Sequence, residues 1–434
     1  MDIVRGNKIE PYEIITKSKR RGIDKDFIKI IEEYRFGKEQ AYKKPLLNLL
    51  PDAIFRKYTG DYDLEELPQE CDILDSTIFS KGYITELGDS GLFDWDPKEI
   101  PSTSAGPTKR EIMKHLLEKI KLQTIMTEPQ AEKMFMECFT EERFKQEKSF
   151  DYVNNIPVSV FDLVEKRHDG FPKSFNVNRL ETPLREIYQH QDGKGGYTSS
   201  WVYCNQLGSR CVIHTEDFDS MSVHYLFPNG QPQVWVAFDM EQGEIVNEII
   251  QNIVKELNDP SLPTCSTPLL HKRFMLTLHY LNRYNITWYY TIQMPGSFIV
   301  VNPGIFHQVY KLGDSISEAA NFYGTRMIQV ARNRFVCQCE ERIKFHKKDK
   351  NGKNNWDPVR DLMQKGEDDH KNLKFGPSVN VNIEFSAPEI NFETVNVTTL
   401  NVCKTIVIPK TCYPSTSNSS TQSKLMFIIT KTTK

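Results

Sequence analysis

From residue 198 onward the chain divides into short strand-like runs separated by turn residues, and this pattern constrains its fold most strongly. The runs are SSWVYCNQ, RCVIHTE, SVHYLF and QVWVAF, and later SFIVVNP, HQVYKL and EAANFYG. Between the two groups a helix is predicted, with an apolar face of Ile245, Ile249, Ile253 and Leu257. Short antiparallel strands with one inserted helix are typical of a barrel or jelly roll, so we predict an α+β protein built on such a barrel.

Composition and turn signals divide the chain into five segments, which are 1–60, 61–127, 128–345, 346–372 and 373–434. The first looks helical and polar, and the second holds a linker and helices that pack on the core. The third contains the barrel and begins with a predicted helix over 128–140. In the fourth, Asp357 as cap and Pro358 at the first helical position predict a helix. The last is rich in Ser, Thr and Asn and is interpreted as a tail.

Composition excludes several classes of protein. The 55 basic and 58 acidic residues leave a net charge of -3, which argues against a protein that coats nucleic acid through bulk charge. No run of about 18 apolar residues occurs, so no membrane span is expected. Nine cysteines, an odd number without a regular rhythm, suit a reducing compartment. None of these features sets an oligomeric state.

His214 and Glu216 lie two residues apart in a strand-like run. Alternate strand residues share a face, so the pair can present an imidazole and a carboxylate side by side. An iron site of the two-histidine, one-carboxylate type needs one more histidine. His307 follows a strand and a Pro-Gly turn, 93 residues after His214, where a jelly roll could return it to the same mouth. On spacing alone, a half-buried strand histidine is an equally good interpretation of His307.

A second cluster of candidate ligands is separate from the first. Cys265 and His271 are six residues apart, and Cys337 and Cys339 follow later as CQC. Three thiolates and one imidazole make up a closed tetrahedral zinc site. Because the chain has nine cysteines, four unrelated residues is the better interpretation of this spacing taken alone.

Several longer motifs stand in a fixed order between residues 24 and 370. They are FIKIIEEYRFGKEQAYKKPLLNLLP, GDSGLF, FNVNRLETPL, WVYCNQLGSRCVIHTED, CSTPLLHK and NFYGTRMIQVARNRFVCQC. In these motifs the chain resembles the JmjN/JmjC histone lysine demethylases, in particular the trimethyl-lysine branch with an added zinc site. The resemblance implies a double-stranded β-helix JmjC barrel within 128–345 and a small JmjN-like segment within 1–60. It also implies a nuclear protein that acts on the histone H3 tail in chromatin.

The resemblance assigns roles to individual residues. It implies iron(II) ligands at His214, Glu216 and His307. It implies a structural zinc(II) site at Cys265, His271, Cys337 and Cys339. It implies a pocket for the methylated ammonium at Gly196, Tyr203, Glu216 and Asn321. Tyr152 lies where the family has a tyrosine that contacts 2-oxoglutarate, and Lys272 matches a lysine near the substrate and oxygen side.

Some positions depart from the family pattern. His224 and Gln233 stand where the family has an asparagine and a lysine that help to bind 2-oxoglutarate, and the local stretch FPNGQPQVWVAF holds no lysine. Losing one member of a buried charge pair costs roughly 3–5 kcal/mol, which is about 100- to 3000-fold in affinity. Ala319 and Ala320 replace small hydroxyl residues of the methyl pocket. These departures bear on whether the protein is catalytically active.

Three functions are consistent with this pattern. The first is an iron(II)- and 2-oxoglutarate-dependent dioxygenase that demethylates histone H3 lysines of the lysine-9/lysine-36 type. The second is a JmjC pseudo-enzyme that binds chromatin or histones without turnover, which Gln233 and His224 favour. The third is an oxygenase that acts on a non-histone protein.

Overall fold

The computed structural model describes residues 6–17, 25–36, 44–62, 78–86, 92–99, 118–120, 122–139, 149–156, 158–183, 185, 196–323, 381–382, 392–399 and 402–409. Contacts divide the chain into two units, Met1–Met363 and Gln364–Lys434. Among the described residues, every helix falls short of the length and hydrophobicity that a membrane crossing requires.

The described strands of the first unit are numbered β1 to β15 in chain order. They are Asn7–Lys8, Tyr12–Ile14, Leu46–Pro51, Ile78–Glu86, Leu92–Glu99, Ser149–Ile156, Trp201–Asn205, Arg210–His214, Met221–Leu226, Gln233–Ala237, Phe274–Leu276, Tyr289–Gln293, Phe298–Val301, His307–Lys311 and Ser315–Phe322. The described helices are numbered α1 to α6. They are Phe27–Phe36, Ala53–Thr59, Glu128–Cys138, Val160–Arg167, Met240–Leu257 and Leu278–Arg283.

These strands form two sheets. One has the order β1-β12-β10-β14-β8, and the other has the order β11-β5-β4-β6-β7-β15-β9-β13-β3-β2. Most neighbouring strands are antiparallel and distant in sequence, as in β10–β14 and β13–β9. Two packed sheets with this pairing, together with the surrounding helices, make an α+β architecture that is consistent with a double-stranded β-helix.

Three apolar clusters show that the two sheets face each other. The cluster between the sheets takes side chains from both, and its members are Ile9, Leu46, Trp235, Ala237, Ile299, Val301, Ile305 and Val309. The outer face of the larger sheet packs against α1, α2 and α4. The outer face of the smaller sheet packs against α3, α5 and α6. Alternation along each strand therefore decides which side chains point into the space between the sheets.

Helix α5 is the inserted helix that the sequence predicts. It begins after Asp239, whose side chain accepts a hydrogen bond from the Gln242 amide, and it ends at Asn258 in the left-handed conformation. Its buried residues are Gly243, Val246, Ile250 and Val254. The predicted apolar face is correct in part, since Ile249 and Ile253 pack against the same apolar cluster, whereas Ile245 is 43% exposed and Leu257 is 38% exposed. The stripe that packs lies one residue further along, where Gly243 lets the helix approach Phe306 closely.

The structure also tests the other predicted elements. All seven strand-like runs after residue 198 contain strands, and the helix predicted over 128–140 is confirmed as Glu128–Cys138. The described part of residues 1–60 contains the two helices α1 and α2 but also three strands, and LLNLLP pairs with β13 as a strand. The segment 61–127, expected to supply a linker and helices, contributes β4 and β5 to the larger sheet. The loop predicted at GDSGLF gives way to β5 at Leu92.

The second unit contains three described strands, β16 (Val381–Asn382), β17 (Phe392–Thr399) and β18 (Val402–Pro409). β17 and β18 pair antiparallel, and β16 pairs parallel with β18. Residues 373–434, interpreted from composition as a tail, therefore include a small sheet. The helix predicted from Asp357 lies outside the described residues.

Candidate metal centre

Two histidines from adjacent strands face each other at one end of the smaller sheet. His214 ends β8 and His307 begins β14, and the antiparallel register pairs them directly. Their ring centroids are 4.4 Å apart, with 48° between the ring planes. The register therefore brings together two side chains that lie far apart in the sequence.

Glu216 joins this pair from just beyond the end of β8, where it precedes a short 3-10 turn. Ligand atoms of Glu216, His214 and His307 all lie within 4.8 Å of one another. Oε1 of Glu216 is 3.6 Å from Nε2 of His307, and Oε2 accepts a hydrogen bond from Nδ2 of Asn321 at 3.2 Å. The predicted convergence of these three residues is confirmed, although Glu216 lies beyond the end of the strand, just before the 3-10 turn.

Both imidazoles are held by backbone carbonyls. Nδ1 of His214 is 2.6 Å from the carbonyl oxygen of Val212, and Nδ1 of His307 is 3.0 Å from that of Ile305. A carbonyl can only accept, so each Nδ1 carries the proton and each Nε2 keeps its lone pair. A metal-binding histidine is usually oriented in this way by its second nitrogen.

The protonation states of the cluster suit a cation. Burial, helped by His307 and Lys272, lowers the pKa of His214 to about 3. Burial also lowers the pKa of His307. Burial alone would raise the pKa of Glu216, but the two histidines, the Ser222 hydroxyl and Lys272 hold it below its usual value. At neutral pH the cluster therefore presents two neutral imidazoles and one carboxylate.

This donor set fits a divalent transition metal. Two imidazole nitrogens and one carboxylate oxygen form the facial set of non-haem iron(II) oxygenases, which leaves other coordination positions open. The orientation of both Nε2 atoms and the bond from Asn321 to Glu216 supply the second layer of contacts that such sites need. Iron(II) would be held by His214, Glu216 and His307.

The structure places the predicted pocket residues unequally around the cluster. Asn321 contacts Glu216 directly, and its backbone amide bonds the carbonyl of Gly196, which has a φ of +86°. Tyr203 lies on β7, and burial followed by the charge of Glu216 raises the pKa of its phenol. Ala319 pairs with His224 on β9, but Ala320 packs in the cluster on the outer face of the larger sheet. Adjacent strand residues face opposite sides, so Ala320 does not share the face of Ala319 and Asn321.

Lys272 lies beside the metal cluster rather than in it. It follows the 3-10 turn Pro268–His271 in the left-handed conformation, with a φ of 54°. Its Nζ is 3.1 Å from Oδ1 of Asp217, the residue after Glu216. Its positive charge acts on all three candidate ligands, since it contributes to the pKa of His214, Glu216 and His307.

The predicted co-substrate residues come from three strands. Tyr152 lies on β6, and its side chain is outside the described part of the structure. His224 and Gln233 are both buried, on β9 and β10 respectively. Burial, followed by the charge of Lys311, lowers the pKa of His224 well below its usual value, so His224 is neutral and adds no charge.

Lys311 is a buried residue beside Gln233 that the sequence interpretation did not single out. It ends β14, is 3% exposed, and pairs in register with Gln233. Its Nζ donates a 2.6 Å hydrogen bond to Oε1 of Gln233. The signal was present in the run HQVYK, because a residue four after His307 on a strand must share its face.

One half of the proposed zinc site is described. Sγ of Cys265 is 3.2 Å from Nε2 of His271, so these two ligands do meet. Cys337 and Cys339 lie outside the described residues.

Part of the chain that contains this cluster matches the model of a known protein family. Residues 201–322 match the JmjC domain, hydroxylase. The match begins at β7 and ends with β15, so it includes all three candidate iron ligands. The chain therefore contains a JmjC hydroxylase domain with a His-Glu-His cluster.

The chain is also similar in sequence to three proteins named as lysine-specific demethylases of type 4. The chain is 28% identical over 192 residues to lysine-specific demethylase 4D of Rattus norvegicus, covering 44% of this chain and 36% of the relative. It is 26% identical over 194 residues to probable lysine-specific demethylase 4F of Homo sapiens, covering 44% and 30%. It is 24% identical over 187 residues to lysine-specific demethylase 4B of Mus musculus, covering 43% and 17%. The chain thus spans about a third or less of each relative, and the relationship is distant.

Proposed function

We propose that this chain is an iron(II)- and 2-oxoglutarate-dependent dioxygenase that removes methyl groups from histone H3 lysines of the lysine-9/lysine-36 type. The observation that carries the proposal is the convergence of His214, Glu216 and His307 with both imidazole Nδ1 atoms tied to carbonyls. The similarity to lysine-specific demethylases 4 supports a histone substrate and a nuclear location.

The residues of the chain have distinct parts in this reaction. When bound, iron(II) and 2-oxoglutarate supply the oxidation of an N-methyl group by dioxygen, after which the methyl carbon leaves as formaldehyde. His214, Glu216 and His307 would hold the metal, and Asn321 keeps the carboxylate of Glu216 oriented through its 3.2 Å hydrogen bond. Gly196 and Tyr203 would form the wall against which the methylated ammonium lies. The Lys272–Asp217 ion pair would close the rim next to Glu216.

A structural zinc(II) site belongs to the same proposal. The 3.2 Å contact between Cys265 and His271 supports two of its ligands, and Cys337 and Cys339 would supply the others. Such a closed site leaves no position for substrate, so its contribution would be to fold stability.

Peptide demethylation and metal binding test the proposal together. The purified chain is incubated with iron(II), 2-oxoglutarate and histone H3 peptides trimethylated at one lysine, and formaldehyde and peptide mass are measured. Activity should disappear in the His214→Ala/His307→Ala variant and persist in His279→Ala, which removes an exposed histidine. If wild type and the double variant bind iron(II) equally under anaerobic conditions, His214 and His307 do not form the iron site.

A second candidate function is a JmjC pseudo-enzyme that binds chromatin without turnover. The neutral His224 and the neutral amide of Gln233 favour it, because neither supplies charge to the co-substrate. Metal binding and histone-peptide binding without formaldehyde release would support this function instead.

A further inference from the structure

Lys311 occupies an unusual position for a lysine, because it is buried in the space between the two sheets. On β14 it lies four residues after the metal-cluster residue His307, so both side chains share one face of the strand. Its register partner Gln233 shares that face on β10, two residues before Trp235. The face therefore carries a candidate metal ligand at one end and an ammonium group at the other.

Among the described residues, this ammonium group contacts only uncharged groups. Nζ donates to Oε1 of Gln233 at 2.6 Å and lies 6.0 Å from the centre of the Trp235 ring. The other end of the Gln233 amide also contacts an uncharged group, since its Nε2 donates to Oγ of Ser315 at 3.2 Å. Within the described residues, no carboxylate lies within ion-pair distance of Lys311. A buried charge without a counter-charge is costly, and burial accordingly lowers the pKa of Lys311.

A neighbouring buried side chain has one nitrogen without a hydrogen-bond partner among the described residues. Nδ1 of His224 makes no hydrogen bond to any described residue. The His224 ring is 5.1 Å from the Trp235 ring, at an angle of 71°. His224 and Lys311 reach this indole from different sheets, so two buried polar groups without full partners flank the same space.

The same indole links this space to the metal cluster. Trp235 stacks on His307 at 5.7 Å with an angle of 21°. Because both contacts share one ring, the His307 ring and the Lys311 ammonium lie within about 12 Å of each other. A short dicarboxylate whose keto end lies at the metal would point its other carboxylate along this ring toward the ammonium.

We propose that Lys311, on β14, supplies the cation that binds the distal carboxylate of 2-oxoglutarate. It would replace the lysine of the family pattern, whose position on β10 is occupied here by Gln233. His224 Nδ1 donates to the same carboxylate, and Gln233 is a positioning residue that holds the ammonium through its 2.6 Å hydrogen bond. This assignment rests on the proposed function, since it assumes an oxo acid at the metal cluster.

The assignment changes the effect that a lysine at position 233 should have on co-substrate binding. Without Lys311, adding a charge by Gln233→Lys should tighten co-substrate binding. With Lys311 in place, the new ammonium would lie beside an existing one on the paired strand, and two like charges in a buried site repel. Gln233→Lys should therefore weaken binding of 2-oxoglutarate.

A charge exchange across the strand pair tests the assignment. Calorimetry measures 2-oxoglutarate binding to the full chain loaded with manganese(II), which accepts the same ligands and does not turn over. Lys311→Gln should lower the affinity by about 100-fold or more, as expected for removing one member of a buried charge pair. The Gln233→Lys/Lys311→Gln variant returns one ammonium to the pair and should recover at least tenfold over Lys311→Gln. The exposed Lys255→Gln is the matched control and should bind like wild type.

The outcomes separate this assignment from the proposed function. Manganese(II) affinity measured first shows that each variant is folded with its metal cluster intact. If Lys311→Gln binds 2-oxoglutarate as tightly as wild type, the assignment of Lys311 is wrong while the oxygenase remains. If Lys311 governs binding but no peptide is demethylated, the assignment stands and the demethylase function is wrong. If Lys311→Gln does not fold, the Gln233→Lys/Lys311→Gln variant decides. If it binds manganese(II) but not 2-oxoglutarate, the assignment is wrong.

Discussion

Replacing Glu318 by alanine is expected to destabilise the fold, because this buried side chain connects a strand to a helix N-terminus. Glu318 lies on β15 and is fully buried. Its Oε2 accepts hydrogen bonds from the amides of Val160 and Phe161 at 2.9 and 3.2 Å, at the start of α4. Its Oε1 is bonded to the hydroxyls of Ser159 and Ser200.

The magnitude follows from which of these groups lose their only partner. The Ser159 hydroxyl also accepts from the Asp162 amide, and the Ser200 hydroxyl also contacts Oδ1 of Asn178. The two backbone amides of Val160 and Phe161 would be left without a partner in a buried site. Each unsatisfied buried donor costs about 1–3 kcal/mol, so Glu318→Ala should lower the free energy of unfolding by about 2–6 kcal/mol.

The isosteric change Glu318→Gln should behave differently with pH. Burial raises the pKa of Glu318 from 4.5 to about 7. Between these values the native chain keeps a proton that the unfolded chain has lost, so this group's contribution to stability falls as pH rises. Glutamine keeps the carbonyl acceptor for both amides and cannot ionise. The stability of wild type relative to Glu318→Gln should therefore fall by roughly 2 kcal/mol between about pH 5.5 and 8.5.

Urea unfolding followed by tryptophan fluorescence measures both effects, and the exposed Glu256→Ala serves as control. A Glu318→Ala variant within about 0.5 kcal/mol of wild type at pH 6 would show that the two amides find other partners. A stability difference between wild type and Glu318→Gln that does not change with pH would refute the raised pKa.

Three further changes have defined outcomes. Asn321→Ala removes the 3.2 Å hydrogen bond to Glu216 and should weaken manganese(II) binding by about 10- to 100-fold, and unchanged affinity in calorimetry would refute this orienting role. Gly243→Ala should destabilise the protein by about 1–3 kcal/mol although alanine favours helix, because a Cβ there would lie 2.5 Å from the Phe306 ring. The exposed Glu244→Ala is the control, and a Gly243→Ala variant more stable than wild type would contradict the close packing. Cys337→Ser should reduce zinc content and soluble yield far more than Cys403→Ser, and a zinc-free parent protein would rule out the structural zinc site.

The sequence by itself determined the parts of this protein that depend on local patterns. Short strand-like runs separated by turn residues predicted both strands that carry a candidate iron ligand, because run length, strand-forming residues and turn residues are local features of the sequence. The His-x-Glu pair and the later histidine are equally local features. Their joint meaning came from resemblance, since spacing alone left His307 open to a structural interpretation.

Tertiary structure decided what depends on partners distant in the chain. The pairing of β14 with β10 places Lys311 against Gln233, and no pattern within FPNGQPQVWVAF could reveal a cation supplied by another strand. The buried face of α5 is centred on Val246, Ile250 and Val254, with Ile249 and Ile253 at its side, because contact with Phe306 at Gly243 sets the rotation of the helix. In the same way LLNLLP became a strand, since the open edge of β13 offers hydrogen bonds that a helix there would leave unmade. Register, rotation and pairing are properties of contacts between elements, so they were decided only when the two sheets came together.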